Sequence, residues 1–487
     1  MPLLQMLTHT HLNSGRFSRQ ACGFLSTQFH VRKTMSMRTF STRTENDVRR
    51  YTVRSNESST SNRGPGMSQY RLIEDVEDLD RYQPGGYHPL QVGDELDNAR
   101  YRVIDKLGYG GYSTIWLARD LQRAQYVAVK VVTADASGCT QEDSLISSLK
   151  NAPSRPGRRV IPPLIDTFWV DGPNGKHKCI VTPSARMSLF DAKEASTFGL
   201  FRAKVARSIT AQLIHGVAFL HSERIVHGDL HLGNILLQFP EAIDHLSPSE
   251  LYEKFGKPEA VDIVRLDGKP LTNGVPAQVF IPGWFGVRSE NIELGEERII
   301  LSDFGESFNP HISPKFSSKT LPLLQPPEAR FSDEPLSFAA DIWTLACTVW
   351  EIAGCRPLFE AFFATADRVT AEQVEVLGIL PSEWWAKWSK KLDWFNEEGE
   401  LIVKPGMSAR RAFGQRLEYS IQEPRAEMGL ETMTDKERMA FEVMLRSMLI
   451  YRPNERVTAQ QVLDSEWMKD WGQPALEQSR STSMKEL

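Results

Sequence analysis

The chain has 487 residues, of which 41% are hydrophobic, and a formal net charge of −5. That much apolar sequence can bury one large two-lobed domain or two ordinary ones, and the slight negative charge argues against direct nucleic-acid binding. The 5 cysteines are scattered without a CxxC pair, which argues against a disulfide framework or a zinc site. The longest apolar stretch is short and contains Glu351, so we expect no transmembrane helix and no membrane partner.

The N-terminal part of the chain differs from the rest in composition. Residues 1–44 contain arginine, lysine, serine and threonine but no acidic residue, which is typical of a mitochondrial transit peptide. A disordered basic leader is the alternative. We predict that residues 1–66 form such a leader, with a candidate targeting segment. Residues 67–100 are predicted to be an acidic lead-in that contains glycine and proline, and its acidic run at 74–80 is predicted to be a solvated stretch.

Strand patterns follow the lead-in, and helix patterns follow the strands. The predicted strands are Tyr101–Lys106, Ser113–Ala118, Tyr126–Val132, Val160–Val170 and Lys178–Thr182. The predicted helices are Gln141–Lys150, Leu200–His221, Ala339–Ala353 and Glu437–Leu449. We therefore predict an α+β fold in two lobes, with an antiparallel-sheet N-lobe at 101–185, a mostly helical C-lobe at 186–471 and a cleft between them. Residues 472–487 are predicted to be a polar tail.

The first candidate motif is a glycine-rich hairpin. Residues 106–115 read Lys-Leu-Gly-Tyr-Gly-Gly-Tyr-Ser-Thr-Ile, and glycines at this spacing let the backbone approach phosphate groups closely. A hairpin with glycines for steric reasons alone is the alternative. Serine occupies the third glycine position of the GxGxxG pattern. The candidate nucleotide-binding residues here are Leu107, Gly108, Gly110, Gly111, Ser113 and Ile115.

A lysine ends the apolar strand that follows the hairpin. Lys130 closes the run Val-Ala-Val-Lys, and a lysine in a buried strand is costly unless it is paired. We predict that it binds the α- and β-phosphates of ATP and pairs with Glu142 of the next helix; Asp143 and Asp135 are competitors. The alternative is a strand-end lysine that reaches solvent.

Two further motifs place carboxylates beside short apolar strands. Asp229 and Asn234 stand five residues apart before Ile-Leu-Leu, and Asp303 begins an Asp-Phe-Gly triplet after Ile-Ile-Leu. Asp229 would accept or orient the proton of a substrate hydroxyl, while Asn234 and Asp303 would hold Mg²⁺. Each motif has incidental explanations by itself, but together they follow the order of one enzyme class.

Three later residues are predicted to have structural roles. Glu328 follows two prolines, Asp341 begins an apolar helix, and Arg456 lies near the end of the predicted C-lobe. We predict a buried ion pair between Glu328 and Arg456. Asp341 is predicted to anchor the backbone amides of the loop that contains Asp229.

Together these residues resemble the protein kinase superfamily over about 101–471. A narrower resemblance to the SR-protein kinases rests on the segments 82–89, 113–118 and 172–177. It implies ATP and Mg²⁺ as cofactors and a spacer insert at about 239–295, which we expect to be partly mobile. It also implies that the nucleotide is lined by Ala128, Thr182 as gatekeeper, and Leu236.

The resemblance further implies a monomeric serine/threonine kinase that phosphorylates proteins. Its substrates would be Arg-Ser-rich mRNA-processing factors, and its location would be the cytoplasm and nucleus. The chain departs from the family pattern in the hinge, 183–185, and in the substrate-side segment, 321–325. These departures leave the substrate open.

Two replacements bear on mechanism. Gly228 stands where many kinases have an arginine that receives an activation-loop phosphate, so we hypothesise activity that needs no such phosphate. His231 is a catalytic candidate that stands where a lysine is usual, and histidine is mostly neutral near pH 7. A catalytically weak scaffold that binds nucleotide and protein partners is therefore the alternative, and a small-molecule kinase is disfavoured by Arg456 and the segment 326–328.

Overall fold

The computed structural model describes residues 68–361, 363–402 and 411–483. The predicted leader, 1–66, lies outside the described residues, as does the end of the predicted polar tail. In the part of the chain that is described, no helix is long and apolar enough to cross a lipid bilayer.

The first lobe is built on a six-stranded antiparallel sheet. Its strands are β1 (Glu95–Leu96), β2 (Tyr101–Gly110), β3 (Ser113–Asp120), β4 (Gln125–Val132), β5 (Asp166–Gly172) and β6 (Gly175–Pro183). They lie in the order β1-β2-β3-β4-β6-β5. The predicted strands are present, but β5 begins several residues later than predicted because Pro162 and Pro163 have no N–H to donate to a neighbouring strand.

The second lobe is mostly helical, as predicted. Its core lies between the helices α4 (Ala203–Ser222) and α7 (Phe338–Ala353), where Trp343 and Trp350 are fully buried. The helices are α1 (Ala134–Ser137) and α2 (Glu142–Ser148) beside the sheet, then α3 (Leu189–Glu194), α4 (Ala203–Ser222), α5 (Pro248–Phe255), α6 (Glu328–Phe331), α7 (Phe338–Ala353), α8 (Ala366–Leu377), α9 (Ser382–Lys387), α10 (Phe413–Leu417), α11 (Glu423–Glu427), α12 (Asp435–Met448), α13 (Ala459–Leu463) and α14 (Gln473–Ser483).

The remaining strands form two small sheets. Strands β7 (Met187–Ser188), β8 (Ile235–Leu237) and β11 (Ile299–Leu301) pair antiparallel in the order β11-β8-β7. Strands β9 (Glu259–Asp262) and β10 (Gln278–Ile281) form a separate antiparallel pair. The first of these sheets carries Leu236 and ends next to Asn234 and Asp303.

The C-terminal residues of the described chain differ from the predicted polar tail, because they form α14. Ala475 and Leu476 are buried, and Gln473 lies 3.0 Å from the ring Nε2 of His215 in α4. The apolar residues are few, but they are spaced so that one helical face packs on the lobe.

The acidic lead-in is folded against the sheet, so the prediction of a solvated stretch was wrong. Val76, Glu77 and Leu79 are buried while Glu74 and Asp78 are exposed. One side of the run therefore faces the protein. The carboxylate of Glu77 can be buried because a lysine of β2 neutralises it.

The spacer has more structure than its sequence indicated. It folds into α5 and the β9–β10 pair instead of a loose connection. Leu251 and Phe285 are buried, and the hydroxyl of Tyr252 donates to the carbonyl of Ile104 in β2 at 2.8 Å. Phe280 packs with Trp116 on the outer face of the sheet. The lead-in and spacer together cover a face that the sequence pattern left unassigned.

Candidate active site

The cleft side of the sheet carries the predicted nucleotide-lining residues. Ala128 lies opposite Thr182 in the β4–β6 pairing, and both are partly exposed, while their strand neighbours Val127, Val129 and Val181 are buried on the other face. This alternation is the two-residue period of a strand, and it turns one row of side chains toward the cleft.

The glycine-rich hairpin forms the upper edge of the cleft. Gly108 lies opposite Ile115 and Gly110 lies opposite Ser113, so the turn itself consists of Gly111 and Tyr112. A Cβ at Gly108 or Gly110 would meet no atom of the described residues within 4 Å, so these glycines leave open space instead of preventing a clash. Partly exposed Leu107 precedes the hairpin, and partly exposed Leu236 lies in β8.

Lys130 is at the centre of the site and joins three elements. Its Nζ donates to Glu142 Oε2 of α2 at 2.6 Å and to Asp303 Oδ1 after β11 at 2.8 Å. The competitors for the helix carboxylate are bound elsewhere, because Asp143 pairs with Lys178 at 3.0 Å and Asp135 lies 3.9 Å from Arg81. The predicted pairing of Lys130 with Glu142 is therefore confirmed.

Burial and ion pairing shift the pKa values of Lys130 and Asp303 in opposite directions. Burial lowers the pKa of Lys130, but the carboxylates of Asp303 and Glu142 raise it more, and the net shift is upward. Lys130 holds the pKa of Asp303 at about 2, against the opposing effect of burial. Lys130 is therefore protonated and Asp303 ionised across the physiological pH range.

The loop before β8 places Asp229, His231 and Asn234 together. Asn234 Nδ2 donates to the carbonyl oxygen of Asp229 at 3.0 Å and to its Oδ2 at 3.3 Å. His231 Nδ1 accepts from the backbone N–H of Gly233 at 3.1 Å, so the neutral ring carries its proton on Nε2. That nitrogen lies 3.7 Å from Asp229 Oδ2. The imidazole therefore directs a donor toward the predicted catalytic carboxylate.

The loop is held in place by the buried carboxylate of Asp341 at the start of α7. Its oxygens accept from the backbone N–H groups of His227 at 2.7 Å and Gly228 at 2.9 Å, as predicted. His221 Nε2 lies 3.0 Å from the same carboxylate. Burial raises the pKa of Asp341, but the hydrogen bonds and charges of these partners lower it by more, so the net shift is downward. The carboxylate therefore stays ionised and can anchor both amides.

The predicted ion pair of Glu328 and Arg456 is also present. Two parallel hydrogen bonds of 2.8 and 3.0 Å join the guanidinium to the carboxylate, and both side chains are buried. Arg456 donates in addition to the carbonyls of Ile450 and Tyr451. A buried bidentate pair with further hydrogen bonds fixes the end of the chain's second lobe against α6.

The segment around Asp303 is paired with the catalytic loop. The backbone N–H of Ser302 donates to the carbonyl of Asn234 at 2.8 Å, and Val226 bridges to Phe308. Phe304 is buried, and its ring centroid lies 5.1 Å from that of His227. These contacts put Asp303 and Asn234 on adjacent backbone segments, which is the arrangement that the sequence motifs predicted.

Gly228 is required by the backbone at its position. Its φ of 83° is in the left-handed region, and a Cβ would lie 2.6 Å from the carbonyl oxygen of Glu306. The carboxylate of Glu306 is held by Lys315 at 2.9 Å and Lys319 at 3.0 Å. An arginine does not fit at 228 without movement of this segment, and the Glu306 cluster was not predicted from the sequence.

Sequence reasoning also missed two lead-in residues at the glycine-rich hairpin. The hydroxyl of Tyr87 donates to the carbonyl of Gly110 at 2.8 Å, and the guanidinium of Arg81 lies over the Tyr112 ring at 5.6 Å. The segment 82–89 was noted for its resemblance to a family, but no local pattern indicates a contact with residues more than twenty positions away.

Comparison with protein families and curated proteins places these motifs among kinases. Residues 101–244 match the model of the protein kinase domain. SRSF protein kinase 3 of Mus musculus is 37% identical over 194 residues, which are 37% of this chain and 34% of the mouse protein. The human protein of the same name is 38% identical over 169 residues, which are 34% of this chain and 30% of the human protein. The chain thus spans about a third of the length of these relatives.

Two longer alignments extend the comparison. Serine/threonine-protein kinase SRPK of Physarum polycephalum is 26% identical over 421 residues, which are 81% of this chain and 91% of that protein. The solved kinase domain of PF14_0431 aligns with a TM-score of 0.53 at 17% identity, over 78% of this chain and 98% of that chain. The structural likeness confirms the predicted two-lobed kinase fold.

Proposed function

We propose that this chain, which carries a protein kinase domain and is a divergent relative of the SR-protein kinases, transfers the γ-phosphoryl group of ATP to serine or threonine hydroxyls of proteins. The proposal depends above all on one observation. Lys130 bonds both Glu142 and Asp303, so the sheet, α2 and the segment after β11 meet at one charged centre. In kinases the corresponding lysine–glutamate pair and magnesium aspartate must both be in place for phosphoryl transfer.

The donor set suits ATP with Mg²⁺. Mg²⁺ prefers oxygen ligands and is usually held by one or two carboxylates together with substrate phosphates. Asp303 offers a carboxylate whose side chain is 48% exposed, and Asn234 offers an amide on the adjacent backbone segment. No group of three His, Cys, Asp or Glu that could hold a metal occurs among the described residues, which fits a site that a nucleotide completes. Bound Mg²⁺ would neutralise charge on the phosphate oxygens.

The residues of the chain would bind the phosphates and position the substrate hydroxyl. Lys130 would bind the α- and β-phosphates, and the glycine-rich hairpin would cover them. Asp229 would orient the substrate hydroxyl and accept its proton, while the Nε2–H of His231 would donate toward the same carboxylate or the transferred group. Catalysis of this kind depends on positioning and on electrostatic stabilisation of the transition state.

The finer proposal is that the substrates are Arg-Ser-rich mRNA-processing factors. It rests on the similarity to proteins named SRSF protein kinase 3 and SRPK. The substrate-side segment 321–325 argues for a narrower or altered preference, because it contains four apolar residues and no acidic residue that could meet an arginine.

A phosphorylation assay on a panel of peptides tests both levels. The wild-type protein and an Asp303→Ala variant would be incubated with labelled ATP, Mg²⁺, an Arg-Ser repeat peptide, and a peptide with leucine in place of arginine. We expect label on serine with wild type only, and more on the Arg-Ser peptide. Equal incorporation by wild type and variant would overturn the kinase proposal, while preference for the leucine peptide would overturn only the substrate.

The scaffold alternative is favoured by Gly228 and His231, and the same assay decides it. A scaffold would bind ATP but give no incorporation above the Asp303→Ala background.

We also propose that activity needs no activation-segment phosphate, because Glu306 already pairs with Lys315 and Lys319. Recombinant protein treated with phosphatase should keep its turnover, and loss of turnover would refute this.

The location in the cell is a separate proposal. We propose the cytoplasm and nucleus, with mitochondrial import through residues 1–44 as the alternative. Imaging of the full chain beside a variant that lacks residues 1–44 distinguishes them, because only an import signal would make the mitochondrial signal depend on that segment.

A further inference from the structure

The tip of the glycine-rich hairpin is held from outside by the lead-in. Tyr87 is 3% exposed, and its hydroxyl donates to the carbonyl of Gly110 at 2.8 Å and reaches that of Gly111 at 3.4 Å. The guanidinium of Arg81 lies 5.1 Å from the centroid of the Tyr87 ring and 5.6 Å from that of Tyr112. The lead-in therefore contacts the hairpin through the hydroxyl of Tyr87 and through one cation–π contact, that of Arg81 with Tyr112.

A tight turn puts Tyr87 in this position. The N–H of Tyr87 donates to the carbonyl of Arg81 at 3.1 Å, and the N–H of Gly86 donates to that of Gln83 at 2.8 Å. A Cβ on Gly86 would lie 1.7 Å from the Arg81 carbonyl oxygen, so only glycine fits there. Arg81 and Tyr87 are thus fixed relative to each other.

The turn is also fixed to the rest of the lobe. Asn174, in the β5–β6 turn, donates through Nδ2 to the carbonyl of Tyr87 at 2.7 Å and to that of Gly274 in the spacer at 2.7 Å. Upstream, the carboxylate of Glu77 accepts from Lys106 of β2. The lead-in around Tyr87 is therefore hydrogen-bonded both to the sheet and, through Asn174, to the spacer.

The same turn reaches the segment that leads to α2. The carbonyls of Gly85 and Gly86 accept from the N–H groups of Asp135 at 2.8 Å and Ala134 at 3.1 Å. The N–H of Thr133 donates in turn to the carbonyl of Tyr112 at 2.8 Å. The hairpin tip, the lead-in turn and the chain ahead of Glu142 thus form one connected unit.

A glycine-rich hairpin is flexible by itself, since glycine loses more conformational freedom on ordering than any other residue. A segment that is ordered before its ligand arrives loses less entropy on binding. We propose that Tyr87 and Arg81 are positioning residues that order the glycine-rich hairpin and thereby raise the affinity for nucleotide. This inference rests on the proposed function, because it assumes that the hairpin covers ATP.

The test compares Tyr87→Phe with Tyr82→Phe. Both remove one buried hydroxyl from the lead-in and keep the ring, but the hydroxyl of Tyr82 donates to Glu77 and not to the hairpin. We expect Tyr87→Phe to weaken binding of a fluorescent ADP analogue with Mg²⁺ by roughly threefold to tenfold, the effect of one hydrogen bond. KM for ATP should rise by the same factor with kcat unchanged, and amide exchange at 110–113 should accelerate.

The control should behave differently. Tyr82→Phe should lower the melting temperature while leaving nucleotide binding and exchange at 110–113 as in the wild type. Arg81→Gln, at a partly exposed position, should weaken binding in the same direction as Tyr87→Phe but less. Unchanged or tighter binding in Tyr87→Phe, or equal effects of both tyrosine substitutions, would overturn the proposal.

Binding and exchange do not depend on phosphoryl transfer, so the two proposals can fail separately. A wild-type protein that binds nucleotide without transferring phosphate would refute the kinase activity, and the role of Tyr87 would still be decided by its affinity and exchange. A wild-type protein that binds no nucleotide would refute both.

Discussion

Two lysines of the same sheet are paired with carboxylates, but on opposite faces and in different surroundings. Lys106 and Glu77 are fully buried on the outer face, where Lys106 Nζ also donates to the backbone carbonyl of Phe280 in the spacer at 3.0 Å. Lys130 faces the cleft, where the side chain of Asp303 is 48% exposed. Both pairs join the sheet to another part of the chain, but only the second leaves carboxylate oxygens accessible to a ligand.

The pKa shifts of the two lysines have opposite signs. Burial lowers the pKa of Lys106, and the single carboxylate of Glu77 only partly offsets it. Two carboxylates more than reverse the effect of burial at Lys130. A buried ion pair is therefore not by itself a sign of catalysis. What distinguishes the catalytic candidate is the second carboxylate and its opening to solvent.

The largest expected effect is on stability, at the enclosed pair. Lys106→Met leaves the carboxylate of Glu77 buried without its cation, which should cost about 3–5 kcal/mol of unfolding free energy. The double variant Lys106→Met/Glu77→Gln should recover most of this loss, because the amide is neutral and still offers an acceptor to Tyr82. Urea unfolding measures both. If the double variant is no more stable than the single one, the buried charge is not the cause.

Lys130→Met should produce the converse result. We expect turnover to fall by roughly 100-fold to 1,000-fold, the loss typical of one electrostatic contact to a transition state. The loss of stability should be smaller than in Lys106→Met, because Asp303 is open to solvent and burial already raises the pKa of Glu142, which favours its neutral form once the lysine is gone. Steady-state phosphorylation and urea unfolding of the two methionine variants, measured side by side, give this comparison. Wild-type turnover in Lys130→Met would show that another residue handles the phosphates.

Acid should weaken the lead-in before it weakens the cleft. Burial, with a contribution from His177, lowers the pKa of His88 from 6.5 to about 4. Between these values the unfolded chain binds more protons than the folded one, so the stability that is present above pH 6.5 is lost as the pH falls toward 4. The contribution of Asp303 is lost only below its ordinary value of 3.8, toward about 2.

The expected loss from His88 is roughly 1–3 kcal/mol, since one pKa unit corresponds to about 1.4 kcal/mol. Denaturant unfolding from pH 7 to 4 measures it, and His88→Gln should flatten the dependence by that amount. Among the residues that the structure describes, the ring nitrogens His88 Nδ1 and His177 Nε2 have no hydrogen-bond partner, which is consistent with neutral rings in the folded state. An unchanged pH slope in His88→Gln would assign the effect to other groups.

The smallest effect is expected at His231. His231→Lys places a full charge beside Asp229, and turnover above neutral pH should stay equal or rise by up to about fivefold, as for one partly exposed ion pair. The pH dependence of turnover in wild type and variant provides the measurement. A large loss in the variant would mean that the Nε2–H of the imidazole has a role that an ammonium group cannot fill.

Much of the fold and of the catalytic centre could be predicted from local patterns. The strands β2 to β4 follow from apolar alternation, and Asp229, Asn234 and Asp303 follow from their positions next to short apolar strands. The chemistry of a lysine in a buried strand required a carboxylate partner. The sequence predicted Glu142 with Asp143 and Asp135 as competitors, and in the structure Lys130 donates to Glu142.

The lead-in and the spacer could not be predicted in this way. Glu77, Tyr87 and Asn174 acquire their partners 29, 23 and 100 residues away in sequence, and the acidic or polar surroundings of each indicate exposure to solvent. A local pattern indicates whether a side chain is apolar enough to be buried. Tertiary packing decides which partner neutralises a buried charge or satisfies a buried polar group. The sequence by itself therefore determined the kinase fold and the candidate residues for binding phosphate, whereas only the tertiary structure decided which lead-in residues contact the glycine-rich hairpin.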